Sequence, residues 1–470
     1  MKNFLSSLLA TILGILIITV AGILILTGII AASTAKEVAD VEENSILVAR
    51  FNGPIPDRTD DNPISRLFSG TPMGTEVLGL NQILKTLEKA KGDENIEGIF
   101  LNLTSVPAGA TMIGEVRNAL SDFKESGKFI YAYADNYTQG TYYLASVADS
   151  VFMTPEGMFL FSGLNAELTF FKDALDKLGV DVQVIKHGSY KSAMETLTRE
   201  SLSDENREQI EGYVTAIWDK MVTDIAESRG ISVETLNQMA DNLSSLEPSK
   251  LLESGMIDGL IYYDEMLSIL KKKTGVEEDN DLESVRITSY KDVPVKEKKE
   301  FTRDKVAVVY GMGMVLDGDA PEGYIGSERI ARAIRKARKD ESVKAIVFRI
   351  NSGGGSVTAS DVIYREMMLA AREKPVVASM GSVAASGGYY IAAPADTILA
   401  SSSTITGSIG VIFALPNMEE LLNEKLGITT DGVQTNEHSD IFSVSDPLNP
   451  KERAILQNMV DKTYESFVNL

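Results

Sequence analysis

The chain has 470 residues, 44% of them hydrophobic, with no cysteine, two histidines and a formal net charge of −22. Disulfides and thiolate metal sites are excluded, His187 and His438 leave almost no material for a histidine cluster, and no metal or cofactor is expected. Acidity on this scale argues against nucleic acid and against adhesion to anionic lipid surfaces, while the length suffices for two or more domains with cores of their own.

Leu8 to Ala32 runs for 25 residues without a charge, and about 20 apolar residues cross a bilayer. The stretch is too long for the apolar core of a cleaved leader, which spans about 7–15 residues, so an uncleaved transmembrane anchor is expected within 1–44. Lys2 precedes the span, and Glu37, Asp40, Glu42 and Glu43 follow it. That bias leaves the short N-terminus in the cytoplasm and the body outside.

Beyond the anchor, Ser45–Phe51 reads as a strand and Asn52–Thr75 as a Pro-, Gly- and Asp-rich loop. Asn81–Lys91 and Met112–Ser126 have helical periodicity, alternating with apolar strands at Ile96–Leu103 and Phe129–Ala134. Strands apolar on both faces, alternating with helices, imply parallel sheet in an α/β fold. A helix at Phe170–Leu178, a strand at Val180–Ile185 and a long amphipathic helix at Leu202–Ala226 follow, with further helix from Val233 to Leu270. Glu277–Lys305 mixes charges with few large apolar residues and reads as a connector, separating a body at 45–276 from one at 306–470.

The second body repeats the first. Tyr142-Tyr143-Leu144-Ala145 and Asp149 match Tyr389-Tyr390-Ile391-Ala392 and Asp396, each 247 residues on. At the same offset Ile99 matches Ile346, Gly163 matches Gly410, and Ser203 onward matches Pro450 onward, with no gap needed. The chain is a tandem duplication, with a period far beyond that of a solenoid repeat. The first copy continues through about fifty further residues, so a C-terminal helical extension of the second copy is expected beyond Leu470.

The copies differ where chemistry is expected. Ser386 sits at a strand-to-helix turn in AASGG, and Gln139 falls opposite it. The unpaired N–H groups of a helix start behind an exposed hydroxyl suit a nucleophile, although a tightly packed corner of small residues has the same composition. Gly353-Gly354-Gly355, just after a strand, can turn backbone N–H groups inward, and Val106-Pro107-Ala108 falls opposite it. With histidine nearly absent, a base must come from elsewhere. Lys191, in the small and uncharged setting GSYKSAMET, is the candidate, provided burial removes its proton near neutral pH. A surface lysine at a helix start is the plainer reading of those residues, and His187, four residues earlier, is the rival base.

Taken in order, GSYKSAMETLTRE, NSGGGSVTASD, SMGSVAASGGYYIAA and TITGSIGV resemble the signal peptide peptidase A family, in its long, duplicated, membrane-anchored form. The resemblance implies two tandem crotonase/Clp-protease-like α/β domains with helical extensions. It implies a serine peptidase whose base, Lys191 of the first copy, serves the nucleophile Ser386 of the second. Gly354 and Gly387 would supply the oxyanion hole, and Ser408 would hold the lysine. Substrates would be cleaved signal peptides and other apolar peptides, the assembly a homotetramer, and the setting a bacterial cytoplasmic membrane with the body on its outer side. The sequence departs from the family in one place, since Gly353 stands where a proline is usual. Two other readings share the fold: a crotonase-like enzyme acting on acyl-CoA through carboxylates, and an inactive membrane scaffold.

Overall fold

The computed structural model describes residues 4, 6–7, 10–22, 39–51, 53–59, 77–294 and 302–470. Of the expected anchor, residues 10–22 are helical, and 8–9 and 23–32 lie outside the described residues, as does most of the loop after Phe51. Among the described residues, no helix is long and apolar enough to cross a membrane.

Fifteen strands are named in chain order: β1 (Ser45–Ala49), β2 (Ile96–Asn102), β3 (Phe129–Ala134), β4 (Ser150–Met153), β5 (Asp181–Lys186), β6 (Gly259–Leu260), β7 (Ser284–Arg286), β8 (Lys305–Met312), β9 (Val315–Leu316), β10 (Ile325–Gly326), β11 (Val343–Ser352), β12 (Val376–Ala385), β13 (Thr397–Leu399), β14 (Ile405–Gly407) and β15 (Ile412–Asn417). The first sheet runs β6-β4-β3-β2-β1-β7, and every pairing in it is parallel. The second runs β13-β12-β11-β8, again all parallel, with β14 also on β12. Helices Leu80–Gly92 and Ala110–Lys124 pack together in the first copy, and Ser327–Lys339 and Val357–Ala371 in the second. Each layer encloses its own core: Ile83, Ile99, Val116 and Tyr142 are fully buried in one, and Ile334, Ile346, Ile363 and Ile391 in the other. The mixed α/β class with parallel sheets is the one the alternating pattern implies.

The structure revises two expectations. The charged stretch 277–305 is more than a connector, because Val285, Ile287 and Tyr290 are buried and carry β7 onto the edge of the first sheet. Three well-placed apolar residues outweigh the surrounding charge. The repeat also needs gaps. Asp149 accepts from the N–H of Ile130, and Asp396 from that of Val376, so the equivalent spacings are 19 and 20 residues. The long helices that close the copies, Asp204–Arg229 and Pro450–Val468, are capped by Ser203 and Asn449, which lie 246 apart rather than 247.

The structure also shows how the copies join. β5 of the first copy pairs antiparallel with β15 of the second, from Lys186 opposite Ile412 to Asp181 opposite Asn417. Ile185, Leu456 and Val460 form a small core beneath that ribbon, so the first copy's β5 is packed by the second copy's last helix.

Candidate active site

Ser386 directly follows β12 and opens the short helix Gly387–Tyr390. Its backbone is at φ 52° and ψ −123°, a conformation that costs a non-glycine residue about 1–3 kcal/mol. The surroundings hold it there: Ser386 N–H donates to Gly407 O at 2.9 Å, and the N–H groups of Tyr389 and Tyr390 both donate to Ser386 O. Small neighbours are required on geometric grounds. A Cβ on Gly387 would stand 2.6 Å from Ser360 Oγ, and one on Gly388 2.4 Å from Ser352 O.

Lys191 arrives from the first copy along β5. His187 N–H continues the ribbon by donating to Val411 O at 3.0 Å, and Lys191 N–H closes a turn onto Gly188 O. On the far side, buried Glu195 accepts from Ser203 Oγ and Asn206 Nδ2, which ties the loop to the helix Asp204–Arg229. Held from both ends, Lys191 is 7% exposed, with its Nζ 3.1 Å from Ser386 Oγ. The same Nζ lies 3.0 Å from both the carbonyl oxygen and the hydroxyl of Ser408. Burial pushes its pKa down to about 8, so a substantial fraction is neutral under mildly alkaline conditions. Ser386, Lys191 and Ser408 therefore meet within one chain.

The glycine loop is placed differently from the expectation. Gly354 donates its N–H to Ser352 Oγ at 3.1 Å, and that group is thereby engaged. The next residue faces the cleft. Gly355, at φ 154°, is bridged to Val315 and packed so closely that a Cβ would lie 2.1 Å from Val315 O. A Cβ on Gly387 would lie 3.2 Å from Gly355 N, so the two glycines are packed side by side next to Ser386. Neither N–H has an acceptor among the described residues. Three consecutive glycines conceal which amide turns inward, and only the backbone geometry of the loop decides it.

The cleft over Ser386 is lined by Gly355, Val357, Tyr390, Val411, Ile412 and Phe467, among others, and none of its lining residues among those described is a carboxylate. Thr463 and Phe467 come from the helix Pro450–Val468, which periodicity marks only as a repeat of the Ser203 helix. His187 takes no part: its Nδ1 lies 2.8 Å from Asp461 Oδ1, and its ring stacks on Tyr464 at 3.9 Å. Among the described residues, no group of three or more His, Asp or Glu could hold a metal ion.

Comparison with known proteins finds matching families and relatives. The model of Peptidase family S49 matches residues 122–277 and 369–470, and that of Clp protease matches 326–406. Protease 4 of Salmonella typhi is 35% identical over 414 residues, which is 86% of this chain and 66% of that protein. Protease 4 of Haemophilus influenzae is 34% identical, covering 83% of this chain and 64% of that protein. The chloroplastic serine protease SPPA of Arabidopsis thaliana is 32% identical, covering 91% and 62%. The chain thus spans slightly less than two thirds of the length of these relatives.

Proposed function

The chain belongs to peptidase family S49, and from that premise we propose that it is a serine endopeptidase with a Ser386–Lys191 dyad that degrades cleaved signal peptides and other apolar peptides. The observation that carries this reading is the 3.1 Å approach of a buried, partly neutral Lys191 Nζ to Ser386 Oγ. Neutral Lys191 takes the Ser386 proton as Oγ attacks the peptide carbonyl. The Gly387 and Gly355 N–H groups receive the oxyanion, with Gly355 in the role first assigned to Gly354. Lys191, now protonated and held by Ser408, gives its proton to the departing amine. Water then attacks the acyl-enzyme by the same route in reverse order, and Ser386 is restored. Val357, Tyr390, Val411, Ile412 and Phe467 make an apolar wall suited to side chains from a membrane-spanning peptide.

The wider reading follows the family. Residues 45–276 and 306–470 are taken as two crotonase/Clp-protease-like domains joined through 277–305, with a single anchor at about 8–32 in a bacterial cytoplasmic membrane. The body lies on the outer side and assembles as a homotetramer. A crotonase-like acyl-CoA activity is disfavoured by the absence of a carboxylate from the cleft lining.

Hydrolysis of an apolar fluorogenic peptide by the full chain tests the proposal. Ser386→Ala and Lys191→Ala are each expected to lower kcat by at least about 10³-fold, since members of a catalytic unit fail together. Activity retained in Lys191→Ala would remove the dyad.

A further inference from the structure

Behind the glycine loop lies a buried polar network that the chemistry above does not use. Asp57, on the loop after β1, is 2% exposed and belongs to the first copy. Its Oδ1 accepts from Arg349 Nε at 2.6 Å, and its Oδ2 from Asn351 Nδ2 at 2.8 Å. Asp57 is itself fixed: the N–H groups of Leu80 and Asn81, at the start of a first-copy helix, donate to the carbonyls of Pro56 and Asp57. A second first-copy carboxylate, Glu115, accepts from the other edge of the Arg349 guanidinium at 2.6 Å.

Asn351 is the residue through which this anchorage reaches the reacting groups. It stands at the end of β11, two residues before the glycine loop, and its Oδ1 accepts from Val383 N–H at 3.2 Å. The pairing of β11 with β12 is irregular at that level. Ile350 faces Met380, but Ser352 faces Ala384, so a two-residue step on β11 spans four on β12. The bulge holds Gly381, Ser382 and Val383. A Cβ on Gly381 would stand 3.0 Å from Asn351 Cγ, and one on first-copy Gly109 would stand 2.9 Å from Ser382 Oγ. Ser386 follows three residues after Val383, so the shape of the bulge sets the height at which Oγ emerges. Bulges serve to re-aim side chains in this way.

We propose that Asp57 is a positioning residue for catalysis: through Asn351 it locks the β12 bulge, and so the second copy's nucleophile and glycine loop, to the body of the first copy. The lysine is then not the first copy's only contribution to the site. The inference rests on the peptidase reading.

The test uses the full chain and reads kcat and KM separately on a fluorogenic apolar peptide, alongside thermal melting. In Asp57→Asn the new amide meets the Asn351 amide donor to donor, and kcat is expected to fall at least about tenfold with KM little changed, as for a small misplacement of reacting groups. The reciprocal swap D57N/N351D reverses the polarity of that bond, keeps an acceptor for Val383 and for Arg349, and is expected to restore most of kcat. Glu115→Gln weakens the same arginine without touching Asn351, and is expected to lower the melting temperature while leaving kcat within about twofold. Unchanged kcat in Asp57→Asn overturns the proposal. So does a folded swap variant as slow as the single one, or an equal loss in Glu115→Gln. Failure of the peptidase reading looks different, because the unaltered chain then shows no hydrolysis that Ser386→Ala removes.

Discussion

The two copies solve the same corner of the fold in opposite ways. In the second, the turn after β12 presents Ser386 to an open cleft. In the first, Gln139 stands opposite, and its side chain closes the space: Nε2 donates to Gly163 O at 2.9 Å, while Oε1 accepts from the N–H groups of Ser162 and Gly163. Phe161, at the position equivalent to Ser408, is fully buried. One copy spends its polar atoms on itself, and the other leaves them facing a space. A duplicated fold can therefore keep one pocket as a filled corner and use that copy's remaining surface to deliver a lysine, the proposed base, to its sister. The β5–β15 ribbon does this, bringing Lys191 across to Ser386.

The sharpest way to break the contrast is to fill the open corner. Gly355→Ala places a methyl group 2.1 Å from Val315 O, at a φ that L-residues rarely adopt. The loop must move, and with it the amide proposed for the oxyanion. Loss of one such donor costs about 10²–10³ in kcat. Gly353→Ala is the internal comparison, since nothing lies within 4 Å of its Cβ, and it is expected to remain active. Equal kcat for Gly355→Ala and the unaltered chain would show that the amide is not used.

A smaller effect is expected from Ser408→Ala. Nζ of Lys191 loses the hydroxyl at 3.0 Å but keeps the Ser408 carbonyl at the same distance, so orientation is weakened rather than lost. One hydrogen bond of this kind is worth about 1 kcal/mol, or roughly fivefold in rate. The pH profile separates the roles. The proposed dyad requires the neutral amine, so kcat is expected to rise with pH as Lys191 loses its proton at about 8. Burial, not Ser408, sets that value, so the midpoint of the limb is expected to stay in place while the plateau falls.

How much of this could be read from residues alone divides along local and non-local lines. Ser386, Lys191 and Ser408 each sit in a run of small residues whose order is distinctive, and the structure brings all three together. The alternation of apolar strands and helices gave the parallel sheets for the same reason, since periodicity is a local property. The antiparallel partnership of β5 with β15 has no local signature, because its strands lie more than 200 residues apart. The choice of Gly355 over Gly354 depends on backbone angles that a run of glycine leaves undetermined. Asp57 was one acid among 67 acidic residues, and only burial against Arg349 and Asn351 distinguishes it. The gapless offset of 247 relates Ile99 to Ile346 and Asp149 to Asp396, and so conceals the extra residue that the spacing from Val376 to Asp396 reveals.

The smallest expected effect tests whether the filled corner is independent of the open one. Gln139→Ala removes three hydrogen bonds from the 162–163 backbone, where Ser162 is exposed and water can take over part of the loss. A cost of about 1 kcal/mol is therefore expected, seen as a lower melting temperature. Catalysis should be untouched, because Lys191 is held by Gly188, Ser408 and the Glu195 anchorage rather than by the Gln139 loop. The chain from Gly163 does lead on towards β5, however, so the loop is the one route by which the closed pocket could influence the base. A change in kcat beyond about threefold, with the Lys191 limb displaced from its position near pH 8, would mean that closing the first pocket helps to hold the lysine. Unchanged kcat with reduced stability would confine Gln139 to the packing of its own copy.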